Sequence, residues 1–137
     1  MDEISVLDLF SGSGNISYEF ASRGVNAITA VEIHAGCIQF ITEMAEKLEM
    51  PIEVIKSDVY TYLQKTPKKF DIIFADPFYD MEFADFEKLP QLVFENDLLL
   101  EDGVLIIEHS NRTSLAELPF YKNSRKYGGS VFSFFEK

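Results

Sequence analysis

Short apolar runs alternate along this chain with segments whose apolar residues return every three or four positions, the signatures of strands and of amphipathic helices. Residues 4–10 form an apolar-rich run that passes straight into Ser11-Gly12-Ser13-Gly14, a strand followed by a tight turn. Residues 15–23 read as a helix closed by Gly24, which accepts the left-handed conformation that ends a helix. A second strand is predicted over 27–32. Over 34–49, the stripe Ile38, Ile41, Ala45 and Leu48 predicts an amphipathic helix that Pro51 stops. The alternation continues with a strand over 52–56, a short helix over 59–64, and an apolar run over 70–75 of the kind covered on both faces. Residues 83–99 read as helical, with Pro90 expected to bend or break the helix. A buried strand over 104–108 is entered through an Asp102-Gly103 turn, and a short helix is expected near 113–117. Runs over 121–127 and 131–135 around Gly128-Gly129 predict a closing hairpin.

This order predicts an α/β fold: a mainly parallel sheet with helices on both faces and right-handed crossovers. Ligands of such sheets bind outside the carboxyl ends of the strands, where strand order reverses, so polar residues at strand ends carry the functional weight. A length of 137 residues without repeat or linker predicts one domain spanning 1–137. Twelve Lys and Arg against 23 Asp and Glu leave a net charge of −11. That balance excludes unaided, non-specific binding of nucleic acid but not a local basic spot. The lone Cys37 excludes a disulfide framework and a cysteine zinc cluster, and the two histidines lack matching ligand spacing, so no metal is expected. With no apolar run of bilayer length and no signal peptide, the expected location is the cytoplasm, with no membrane partner.

Chemistry is concentrated at four strand ends. The glycine turn after the first strand allows close backbone approach, and the helix start behind it offers free N–H groups. A dinucleotide fingerprint would need a third glycine where Ser17 stands. Asp8, four residues before Gly12, would oppose a pyrophosphate but welcome an ammonium group, which favours a ligand with an amino-acid end such as S-adenosylmethionine. Glu32 ends the second strand, where a carboxylate can accept hydrogen bonds from ribose hydroxyls. Asp58 ends the third; it reads both as an acceptor for an adenine amino group and as a helix N-cap. Asp76-Pro77-Phe78-Tyr79 brings a carboxylate, a proline and aromatics to the same edge. Methyl transfer to an exocyclic amine needs that set, because the nitrogen lone pair is delocalised and must be freed by hydrogen bonds while the planar base is stacked. The bland alternative is an Asp-Pro turn followed by core aromatics. Glu108 and His109 read as structural or rim residues. Arg112, Lys122, Arg125 and Lys126 read as a solvated hairpin face, with phosphate contact as the functional alternative.

On these residues the chain resembles the RsmD-like family of bacterial 16S ribosomal RNA guanine-N2 methyltransferases, within the S-adenosylmethionine-dependent class. The resemblance rests on Val6-Leu-Asp-Leu-Phe-Ser-Gly-Ser-Gly14, Glu19-Phe-Ala-Ser-Arg-Gly24, Ala30-Val-Glu32, Phe70-Asp-Ile-Ile-Phe-Ala-Asp-Pro77 and Tyr127-Gly128. It implies a Rossmann-like class I methyltransferase sheet of seven strands with the last antiparallel. It implies that Asp8, Ser11, Gly12 and Gly14 hold the methionine end, that Glu32 binds ribose, and that Ile33 and Asp58 meet the adenine. Asp76, Pro77 and Tyr79 would then present the amine of ribosomal RNA or a small-subunit particle, with S-adenosyl-L-homocysteine as product. Two departures stand out. Phe78 replaces the second Pro of the family motif, and family members carry a further segment before the first strand, so the chain is expected to be a fragment or a minimal member. Methylation of DNA adenine or of a protein glutamine amide, and a non-catalytic cofactor-binding module, are the alternative readings.

Overall fold

The sheet is built around the first apolar run. In the computed structural model, which describes residues 4–12, 14–77 and 81–137, strand β1 (Ser5–Leu9) buries Val6, Leu7 and Leu9 completely. It pairs in parallel with β2 (Ala27–Glu32) on one side and β4 (Phe70–Ala75) on the other. β3 (Ile52–Lys56) adds to β2 and β5 (Leu99–Ser110) to β4, again in parallel. β6 (Tyr121–Tyr127) and β7 (Ser130–Phe135) form the expected hairpin, and β7 inserts antiparallel between β5 and β6. The order β3-β2-β1-β4-β5-β7-β6 is that of a class I methyltransferase sheet, and it reverses direction between β1 and β4.

The period-two alternation of the strands assigns the faces. Leu7, Leu9, Ile73, Leu105 and Ile107 point to one face, where Val59 and Leu63 of α3 (Val59–Lys65) and Phe86, Leu89 and Val93 of α4 (Phe83–Glu95) complete the core. Val6 and Ile28 point the other way, against Phe20 and Ala21 of α1 (Asn15–Ser22). α2 (Ala35–Lys47) packs on β2 and β3. α1, α2 and α4 end alike. A residue at positive φ follows the C-cap (Gly24, Glu49 and Asp97), and the next N–H (Val25, Met50 and Leu98) reaches back to a carbonyl of the last turn (Phe20, Ala45 and Val93). Only Gly24 announces this ending in sequence.

Three expectations are corrected. Helix α4 passes through Pro90 instead of breaking there, and stops at Glu95 rather than reaching Leu99. An interior proline costs about 3 kcal/mol, whereas Phe86, Leu89 and Val93, all buried, each contribute about 1.5–3 kcal/mol, so packing prevails. The Asp102-Gly103 turn lies inside β5 as a bulge: Phe70 pairs with Leu99, but Ile72 pairs with Val104. Residues 113–117 form no helix: turns at 111–112 and 116–117 flank an irregular stretch, with Thr113 N–H donating to Ser110 O at 3.2 Å and Leu118 N–H to Leu115 O at 3.1 Å. So short a run does not offset helix nucleation, and burial of Leu115 and Leu118 in the core sets its path instead.

The bulge tolerates no side chain at position 103, since a Cβ there would stand 2.8 Å from the Leu100 carbonyl and 3.1 Å from that of Asp71. Gly103→Ala is expected to lower unfolding free energy by roughly 1–3 kcal/mol. Gly36→Ala, in α2 with nothing within 4 Å, should raise it by about 0.5 kcal/mol. Urea denaturation of both variants checks the contrast.

Candidate active site

Parallel register brings the exits of β1, β2 and β4 together. Leu9 pairs with Val31 on one side and Ala75 on the other, so the turn after Leu9, the loop after Glu32 and the Asp76-Pro77 segment leave the sheet side by side. The backbone joins them: Ser11 N–H donates to Val31 O at 3.2 Å, and Asp76 N–H to Leu9 O at 3.5 Å. The chain reverses through left-handed residues at Phe10 (φ +58°), Gly12 (φ +56°) and Gly14 (φ +87°). Gly14 must lack a side chain, because a Cβ would meet Ile41 and Tyr18 at 3.0 Å. Phe10 adopts a conformation costly for a bulky residue and sets its ring edge-on to Tyr60 at 6.3 Å.

Glu32 is 6% exposed, and its carboxylate gathers the loops. Oε1 accepts from Gly12 N–H at 2.7 Å, and Oε2 from Ile33 and His34 N–H at 3.0 Å each. Two carboxylate oxygens offer about four acceptor positions, so three backbone bonds leave room for another donor. Ile33 stands beside it with 52% of its surface exposed. Ser11 Oγ donates to Asp8 O at 2.8 Å, which holds the turn against β1.

Asp8 lies in the interior at 1% exposure, and Ser17 Oγ of α1 donates to its Oδ2 at 2.7 Å. Burial pushes its carboxyl up to about 7 against the opposing effect of Ser17, and the charge of Asp76 pushes the same way. Asp76 is exposed at the rim, where the loss of part of its hydration to the neighbouring chain and then the charge of Glu108 raise its carboxyl to about 6. Neither forms an ion pair with Lys or Arg among the described residues. The site therefore holds two carboxyls that lack a cation.

Asp58, exposed at the end of β3, caps α3: its Oδ2 accepts from Thr61 N–H at 3.0 Å, while Oδ1 has no partner among the described residues. Pro77 is buried and joins Asp76, Phe86, Glu108, His109, Ser110, Gly129 and Ser130 around a cavity of about 240 Å³. Tyr79, like Phe78, lies outside the described residues. A larger cleft of about 550 Å³ opens at the other end of the sheet, but Lys69 and Lys137 there already pair with Asp97. Among the described residues, no group of three His, Cys, Asp or Glu is arranged to hold a metal ion, and no helix is long and apolar enough to cross a membrane.

Sequence reasoning missed two polar groups beside the glycine turn. Ser17 was legible only as the absence of a third glycine, yet it is the buried donor to Asp8. Tyr18 buries a hydroxyl that has no partner among the described residues. His109, read from sequence as a structural or rim residue, walls the cavity: Nδ1 donates to Ser110 O at 2.9 Å, and Nε2 shares a hydrogen bond with Ser133 Oγ at 2.6 Å. A polar residue in the inward position of a helix's first turn, or inside a buried strand, was the available signal.

The residues fit S-adenosylmethionine. Asp8 lacks a cation, α1 begins at Gly14 without a side-chain cap, Tyr18 has an unsatisfied hydroxyl beside that turn, and Glu32 and Asp58 retain acceptor capacity beside the exposed Ile33. An ammonium, a carboxylate, hydroxyls and a planar ring each find a chemical counterpart.

Known proteins share this sequence pattern and this fold. The sequence matches the family described as Conserved hypothetical protein 95 over residues 1–136. Ribosomal RNA small subunit methyltransferase D of Buchnera aphidicola is 32% identical over 106 residues, covering 77% of this chain and 53% of that protein. The chain thus spans about half the length of that relative. A conserved hypothetical protein of Streptococcus pyogenes superposes with a TM-score of 0.83 at 25% identity, over 100% of this chain and 88% of that one. Coclaurine N-methyltransferase, solved with N-methylheliamine and S-adenosylhomocysteine, superposes with a TM-score of 0.65 at 26% identity, over 80% of this chain and 31% of its own. The chain belongs to the Conserved hypothetical protein 95 family, the RsmD-like methyltransferases.

Proposed function

We propose that this chain is the catalytic domain of an S-adenosylmethionine-dependent methyltransferase acting on an exocyclic amine, guanine N2 of 16S ribosomal RNA, in the cytoplasm. The observation that carries this reading is the pair Asp8 and Asp76, one buried and one at the rim, at neighbouring strand ends beside a glycine turn and an uncapped helix start, neither paired with a Lys or Arg among the described residues. Such a site attracts a ligand with an ammonium and a sulfonium, and it opposes a pyrophosphate. When bound, S-adenosylmethionine supplies a methyl group on a good leaving group, so the protein's task is alignment.

Asp8 holds the ammonium, with Ser17 fixing its carboxylate, and the start of α1 takes the carboxylate. Ser11, Gly12 and Gly14 shape that cradle. Glu32 shares its remaining acceptor position with the ribose, Ile33 covers the adenine, and the free Oδ1 of Asp58 accepts its amino group. Asp76 accepts an N–H of the target amine, and the carbonyl of Pro77 accepts the other. Both bonds localise the nitrogen lone pair, and Tyr79 stacks on the base. Ribosomal RNA as acceptor is supported by the named activity of the Buchnera relative.

Asp76→Asn should keep the fold and lower kcat at least about 100-fold. The assay follows labelled methyl transfer from S-adenosylmethionine to undermodified small-subunit particles, with nucleoside analysis for N2-methylguanosine. Undiminished transfer would remove Asp76 from its role. Binding of S-adenosylhomocysteine without turnover by the unsubstituted chain would favour a non-catalytic module.

Asp8 predicts two opposite pH effects. Its folded carboxyl, near 7 against 3.8 for an ordinary Asp, binds protons more tightly than in the unfolded chain. Unliganded stability should therefore fall from about pH 4 to about pH 7 through this group. Affinity for S-adenosylhomocysteine should rise through about 7 as the carboxylate forms. Asp8→Asn should melt higher than the parent at pH 8, lose that rise in affinity, and bind about tenfold or more weakly. Thermal melts and calorimetry across this range test both effects; an unchanged affinity profile would refute the ammonium contact.

A further inference from the structure

We propose that the carboxyl end of edge strand β6, with Arg125, Lys126 and Tyr127, together with Arg112 on the neighbouring loop, is the surface that receives the RNA backbone and steers the acceptor base toward Asp76. This rests on the RNA-amine reading above. With a net charge of −11, most of the surface repels phosphates, so an RNA needs a local group of free cations. Arg23, Lys68, Lys69, Lys88 and Lys137 are held by Glu19, Glu53, Asp97 and Asp85. Arg112, Arg125 and Lys126 are exposed and form no ion pair among the described residues.

Topology decides where these cations stand. β6 is antiparallel to β7, which is antiparallel to β5. β6 therefore runs in the direction of β1 and β4, and its carboxyl end arrives at the edge that carries Asp76. The Gly128-Gly129 turn that follows returns the chain to Ser130, and Gly129 and Ser130 line the 240 Å³ cavity with Asp76, Pro77 and Glu108. Arg112 is anchored to the same wall, its N–H donating to Ser110 Oγ at 3.3 Å. Arg125 pairs with Phe132 and Lys126 with Val131, so the two cations straddle the strand, one on each face. Tyr127 is 61% exposed and held edge-on to Phe132 at 5.5 Å and 71°, which leaves ring surface free to stack a nucleobase beside the cavity.

Cations on an edge strand also deter strand-to-strand association, and the experiment separates the two roles. A fluorescein-labelled 16S ribosomal RNA fragment is titrated at several salt concentrations. Three or four phosphate contacts predict a slope of log affinity against log salt of about −2 to −3. The double variant Arg125→Gln, Lys126→Gln should lose about 1.4 of that slope and about tenfold or more in affinity at low salt. Its affinity for S-adenosylhomocysteine should stay unchanged. Lys47→Gln, a cation in the last turn of α2 with no ion pair among the described residues and outside the cavity lining, should leave slope and affinity as they were. An unaltered slope in the double variant overturns the proposal, as does a gain of self-association with RNA binding intact. If Asp76→Asn abolishes transfer while the double variant keeps the parental KM for RNA, the docking surface falls and the function stands. If the unsubstituted chain binds no RNA but methylates a protein amide, both fall.

Discussion

The parallel register of β1 between β2 and β4 is the constraint on which the site depends. Leu7 and Leu9 have no exposed surface, and because both faces of the sheet are covered, a slip of one residue would send them to the α1 face and carry the buried Asp8 away from Ser17 into the apolar core under α3 and α4. A carboxyl buried there without the Ser17 hydroxyl would have no partner, so that alternative is excluded before any ligand is considered. Once the register is set, three loops must leave the sheet at one level. Glu32 then ties two of them through three backbone hydrogen bonds, so the glycine turn and the β2–α2 loop behave as a unit.

What the scaffold holds in place is unfavourable by itself. A carboxyl buried at Asp8, a second one near it at Asp76, and a left-handed Phe10 all cost stability in the free protein. The core formed by β1, β4 and β5 with α3 and α4 offsets these costs. The result is preorganisation: a cation entering this edge meets acceptors already fixed by Ser17 and the β1 backbone, and none of them needs to be gathered from solution. The same carboxyls explain why charge must be distributed unevenly. An acidic centre suits the methyl donor and repels the acceptor's phosphates, so the cations that face RNA have to stand to one side, on the outermost strand.

Much of this was legible from pattern. The strands at 27–32, 52–56 and 70–75 follow from apolar runs with defined ends, because side-chain burial alone sets their extent. The glycine turn, Glu32 and Asp76 were legible as strand-end polar residues for the same reason. Pro90 misled because its local penalty is smaller than the burial on either side of it. The β5 bulge was hidden because Asp102-Gly103 satisfies the chemistry of a turn equally well as that of a bulge. Glu49 and Asp97, which end two helices in the left-handed conformation, carry no sequence mark, since the contacts beyond each helix impose it.

The amino-acid order by itself determined the alternation of strands and helices, the acidic balance and the identity of the groups at each strand end, because these depend on periodicity and on residue type. Only the tertiary structure decided that Ser17 serves Asp8, that Glu32 spends three acceptor positions on backbone, that the Tyr18 hydroxyl finds no partner among the described residues, and that β6 brings its exposed cations to the edge of Asp76. Apart from the local bonds from Ile33 and His34 to Glu32, those outcomes depend on residues that are not neighbours in sequence. They follow from register and from strand order, and no local pattern encodes either one.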